Sequence, residues 1–93
     1  MASAYEVNLV AGRVKNAYSE IDRKRERANA AAKEASIWWQ GSTSEAFAQE
    51  YNRINNDIHA LLDMLSALEK QLKTVAIEIV NAEEAALAAS RNS

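Results

Sequence analysis

Trp38-Trp39-Gln40-Gly41-Ser42-Thr43-Ser44-Glu45 decides the fold, because it holds the one break in an otherwise continuous helical pattern. Gly41 can take the left-handed backbone conformation that ends a helix. Ser42, followed three residues later by Glu45, reads as a capping box that opens the next helix. The pattern predicts helix one over about residues 5–37, a loop over 38–43 and helix two over about 44–89. A connection this short turns the second helix back antiparallel to the first. The expected fold is all-α: a single hairpin domain over residues 1–93.

Outward from the loop, apolar residues recur with a period near 3.5, the mark of helices packed along their length. On helix one, Val7, Val14, Ile21, Ala28 and Ala35 form one row, and Val10, Ala17, Ala31 and Trp38 the interleaved one, with Lys24 as its polar intruder. On helix two, Phe47, Ile54, Leu61, Leu68, Val75 and Ala82 alternate with Tyr51, Ile58, Leu65, Leu72, Ile79 and Ala86. Phe47, Tyr51, Ile54, Ile58, Leu61, Leu65, Leu68 and Leu72 are therefore the expected core and dimer residues, and Trp38 is expected to pack inward with them. The last stretch, residues 82–93, is Ala-rich with a polar end and is expected to fray.

A lone two-helix hairpin has a core one side chain thick, which is marginal for a chain of 93 residues. Leu62, Met64, Ile77, Val80, Leu9 and Ile37 widen the apolar faces beyond two stripes. A helix needs that width when it touches two neighbours. Two hairpins packed face to face into a four-helix bundle satisfy it. The partner is either a second copy related by a two-fold axis or a homologous chain.

Composition narrows the function. Proline and cysteine are absent, and Gly12 and Gly41 are the only glycines. Sandwiches, barrels and βαβ repeats need more turns than that. There is no thiolate site, and a single histidine, His59, builds no His-rich metal centre. No catalytic constellation and no cofactor are expected. Net charge is −2, which gives no global attraction to nucleic acid. The basic run Arg23-Lys24-Arg25-Glu26-Arg27 spreads around a helix and lacks an aromatic reader, so a solvated face is the simpler reading. Residues 1–38 carry seven basic and five acidic groups, residues 39–93 four and eight, a difference that mildly favours antiparallel pairing. The N-terminal Met1-Ala2-Ser3-Ala4-Tyr5-Glu6 lacks the features of a cleavable signal peptide, and no apolar run is long enough to span a bilayer.

Trp39-Gln40-Gly41, midway in a chain of this length and flanked by two helices, resembles the Trp-x-Gly motif of small early-secreted-antigen-like proteins. These are the WXG-family substrates of type VII (ESX) secretion. Glu45-Ala46-Phe47 is similar to the family's run toward an aromatic six residues past the glycine. The resemblance covers the whole chain in length, loop position and layout. It implies export through the type VII machinery without a cleavable signal, residence in the cytoplasm before export, and recognition by the secretion ATPase. It also implies pairing with itself or another WXG-type chain, or with a larger secreted toxin. Family members that carry their own export signal show Tyr-x-x-x-Asp/Glu late in helix two. Here the matching stretch is Val80-Asn81-Ala82-Glu83-Glu84, with Glu84 in place and Val80 where the tyrosine stands in the family. The docking residues implied are thus Trp39, Gly41, Val80 and Glu84.

Two functions of different kinds follow. One is an exported, non-enzymatic substrate or co-substrate that travels as a folded dimer. The other is an intracellular adaptor for the helical N-terminal region of a larger type VII-secreted toxin.

Overall fold

The protein is described by a computed structural model over residues 3–92. Helix α1 spans Ala4–Trp38 and helix α2 spans Ser42–Asn92, with no strand among the described residues. Only Trp39, Gln40 and Gly41 separate the helices, against the six-residue loop expected at 38–43.

Local chemistry accounts for these boundaries. The Ser3 hydroxyl accepts the Glu6 N–H at 3.1 Å, and the Ser3 carbonyl accepts the Val7 N–H at 3.0 Å. Ser3-Ala4-Tyr5-Glu6 has capping-box spacing, which starts α1 at Ala4. At the other end the Trp39 N–H still reaches the Ala35 carbonyl at 3.0 Å. The chain then reverses through Gly41, whose φ of +106° is a conformation that side-chain-bearing residues rarely adopt.

Gly41 also begins α2. Its carbonyl accepts the N–H groups of Ser44 at 3.1 Å and Glu45 at 3.3 Å, and the Ser44 hydroxyl at 2.7 Å. Gly41 is therefore the N-cap, and Ser42 is already the first helical residue. The Ser42–Glu45 capping box expected from sequence is not made, because the cap falls one residue earlier. The C-terminal end also differs from expectation. Helix α2 continues to Asn92, sustained by Ala82, Ala85, Ala86, Ala88 and Ala89 and by Arg91 in its last turn. Ser93, like Met1 and Ala2, lies outside the described residues.

The chain divides into two compact units: a terminal unit, Met1–Asn16 with Leu65–Ser93, and a loop unit, Ala17–Met64. In the terminal unit, Ala4, Val7, Ala11 and Val14 of α1 are covered alongside Leu65, Glu69, Leu72, Ala76 and Ile79 of α2. Ala11 and Ala76 are buried, and small residues on packed faces let helix backbones approach closely. In the loop unit the covered residues are Ala17, Tyr18, Ile21, Asp22, Arg25, Asn29, Ala32, Ala35 and Trp39 on α1 and the loop, with Ser44, Tyr51, Asn55, Ile58 and Leu62 on α2. Arg25, an unusual seam residue, is held by Asp22 at 2.8 Å, and that hydrogen bond raises its pKa further.

These faces correct the expected core. One row on each helix packs largely as expected, through Val7, Val14, Ile21 and Ala35 on α1 and Tyr51, Ile58, Leu65, Leu72 and Ile79 on α2. Ala28 and Ala86 of those rows are exposed, and Asn29 is covered in place of the expected Ala28. The companion row is shifted by one residue. Ala11, Arg25, Ala32 and Trp39 replace the expected Val10, Lys24, Ala31 and Trp38 on α1, and Tyr18 joins Ala17, which is half-covered as expected. On α2, Asn55, Leu62, Glu69 and Ala76 take the seam, while Phe47, Ile54, Leu61, Leu68 and Val75 remain about 40 % exposed. Leu62, expected outside, is 3 % exposed, and Trp38, expected inside, is 71 % exposed. In the terminal unit, Ala11 and Ala76 are buried in the seam while Val10 and Val75 stand exposed beside it.

Candidate interaction surface

The loop unit gathers four aromatic residues around the turn. Trp39 is half-buried, and its indole N–H donates to Thr43 Oγ1 at 3.1 Å. Its ring lies against Phe47, with centroids 5.0 Å apart, and Phe47 continues to Tyr51 at 6.2 Å. Trp38 stacks on Trp39 with centroids 6.4 Å apart. The two tryptophans thus have distinct surroundings. Trp39 is tied back onto the first turn of α2, and Trp38 offers most of its ring to solvent.

On one flank of this unit α1 and α2 leave an open groove of about 510 Å³, with Asn29, Ser36, Glu45 and Asn52 on its walls. The Tyr51 hydroxyl, also on this groove, donates to Asn29 Oδ1. The Oδ1 atom of Asn55 is buried there without a hydrogen-bond partner. Ala32, Trp39, Phe47 and Ala48 line the same groove, so its walls are mixed; the same rows add Asp22 on α1 and His59 on α2.

The other flank differs. Heptad geometry places the row Ala17, Lys24, Ala31 and Trp38 of α1 beside the row Phe47, Ile54 and Leu61 of α2. Ile54 and Leu61 are 43 % and 42 % exposed. A residue of that size left half-covered at every seventh position forms a continuous apolar strip. In the terminal unit, Val10, Leu68 and Val75 stand exposed in the same two rows, at 43 %, 42 % and 41 %. Sequence periodicity detects these residues but assigns them to the seam, because it does not tell which neighbour an apolar row meets.

Of the implied docking residues, Trp39 and Gly41 belong to the loop unit. Val80 and Glu84 lie on α2 in the terminal unit. Val80 is 39 % exposed at the rim of a shallow groove shared with Asn8, Ala76 and Ile77. Glu84 is exposed, as is every described residue beyond Val80. Among the described residues, no helix is long and apolar enough to cross a membrane.

Two long helices joined by a Trp-x-Gly turn, with an apolar strip beside the seam, define a small helical-hairpin protein. Residues 1–84 match the WXG100 model, described as proteins of 100 residues with WXG, and the chain belongs to that family. Its members are small helical proteins associated with type VII secretion. No curated protein and no solved structure matches the chain.

Proposed function

We propose that this chain is a non-enzymatic type VII secretion substrate or co-substrate that leaves the cell as a folded helical dimer. The observation that carries the reading is the apolar strip. Trp38, Ile54 and Leu61 remain 42–71 % exposed on one flank of the loop unit, with Phe47 at its turn end also exposed. Partner helices laid on that strip complete a four-helix bundle and cover it.

Recognition by the secretion ATPase then uses the Trp-x-Gly turn together with the late part of α2. In an antiparallel pair of hairpins, Val80 to Glu84 of one chain lie near the Trp39 turn of the other. A receptor reading both elements senses pairing as well as sequence. Val80 supplies less contact area than an aromatic ring in that position. The chain therefore exports poorly by itself and well beside a partner that carries the complete motif.

Measuring the chain in culture medium tests this for the wild type, Trp39→Ala, Val80→Tyr and Glu84→Ala, each with and without the neighbouring secretion genes. Val80→Tyr should raise solo export, and Trp39→Ala and Glu84→Ala should lower partnered export. Efficient solo export indifferent to all three substitutions contradicts the reading. Retention in the cell while a larger partner is exported favours the adaptor function instead.

A further inference from the structure

We propose that the apolar strip is built for a chain other than a second copy: a helical partner whose matching face carries a carboxylate opposite Lys24. This rests on the reading of the strip as a pairing surface and goes on to specify the partner's chemistry.

Lys24 stands alone in the strip. Within the loop unit its row reads Ala17, Lys24, Ala31, Trp38, and the adjoining row of α2 reads Phe47, Ile54, Leu61. Neither row holds an acid. Lys24 makes no ion pair among the described residues, where the four ion pairs are Arg25–Asp22, Arg53–Glu50, Arg53–Asp57 and Lys73–Glu69. The two rim acids on α2, Glu50 and Asp57, are thus already engaged by Arg53. Glu20, one turn before Lys24 on α1, is exposed and belongs to the outer edge.

Covering the strip with another hairpin takes Lys24 out of water. A two-fold dimer presents the same patch twice, so self-pairing brings two lysines and no strip carboxylate into the interface. A cation in an apolar interface without a partner is strongly unfavourable, whereas one met by a carboxylate is compensated and fixes register. The lone charge therefore selects between partners: it penalises a copy of this chain and accepts one with Asp or Glu at the facing position.

Sedimentation equilibrium of the full chain tests the assignment, using its own Lys24→Glu variant as the acid-bearing partner. Four samples are compared: wild type, Lys24→Leu, Lys24→Glu, and an equimolar mixture of wild type with Lys24→Glu. The mixture should associate at least about tenfold more tightly than wild type alone. Lys24→Leu, which removes the repeated cation, should self-associate more tightly than wild type by a similar factor. Circular dichroism on each sample checks that helicity is retained. Wild type self-associating as tightly as both overturns the proposal, since a second copy then fits the strip and Lys24 reaches water past its edge. Tightening by Lys24→Leu with no gain in the mixture also overturns it. Monomers in all four samples overturn the pairing surface itself, an outcome distinct from either.

Discussion

The Trp39 indole donates to Thr43 Oγ1 at 3.1 Å across the turn, so the tryptophan of the Trp-x-Gly motif is fastened to the first turn of α2. The bond ties the end of the α1 pattern to the beginning of α2 independently of the backbone. It also divides labour between neighbours: Trp39 braces the turn, and Trp38 faces solvent.

Removing the acceptor should loosen that brace. Thr43→Val keeps the side-chain shape and deletes the hydroxyl, and should cost about 1 kcal/mol in urea unfolding. The two indole N–H signals in a nitrogen-15 NMR spectrum report it directly. Trp39 should exchange more slowly with solvent than Trp38 in the wild type, and at a similar rate in Thr43→Val.

The two glycines should respond with opposite signs. A Cβ added at either meets no atom within 4 Å, so backbone conformation alone decides. Gly41→Ala forces alanine to φ +106° and should destabilise by about 1–2 kcal/mol. Gly12→Ala, inside α1, should stabilise by about 0.5–1 kcal/mol. Thermal melts of both variants check the pair.

Leu61 and Leu62 are adjacent in sequence and opposite in role. Leu62→Ala empties a seam position that is 3 % exposed and should cost about 2 kcal/mol, the low end for leucine because water can enter so thin a seam. Leu61→Ala should cost less than about 1 kcal/mol at protein concentrations where the chain is monomeric. Its effect should be on association instead. Denaturation at low concentration beside sedimentation at high concentration separates the two.

Glu50 carries a pH signature. Its hydrogen bond from Arg53, and then the charge of Arg53, hold its carboxyl below the usual carboxylate range. A folded pKa lowered in this way contributes stability that is present above the unfolded value and lost as pH falls through the folded one. Arg53→Gln should raise the Glu50 titration midpoint in NMR. The melting temperature should change little, because exposed ion pairs contribute little to stability.

Periodicity made both helices and the position of the turn legible, since Val7 to Ala35 and Tyr51 to Ile79 repeat with hardly an interruption. It misassigned the second row of each helix for a physical reason. Phe47, Ile54, Leu61, Leu68 and Val75 are more apolar than Asn55, Leu62, Glu69 and Ala76, so a count of hydrophobicity puts them in the seam. In the terminal unit the seam takes Ala11 and Ala76, the smaller neighbours of Val10 and Val75, and in the loop unit it takes Leu62 beside the exposed Leu61. The start of α2 was missed by one residue because Gly41 caps it with its own carbonyl, a role that side-chain patterns do not reveal. The Ser3–Glu6 cap, by contrast, is written in the sequence by the spacing of Ser and Glu.

The most direct test of the account places equal charge on the two flanks of the loop unit. In a Lys24→Leu background, one variant carries Ile54→Glu and Leu61→Glu, and the other carries Asn52→Glu and His59→Glu. Sedimentation equilibrium should find the first monomeric with its helicity intact and the second associated like its parent. Association that survives Ile54→Glu with Leu61→Glu, or fails only with Asn52→Glu and His59→Glu, would show that partners meet this protein on the flank of the Asn29–Asn52 groove.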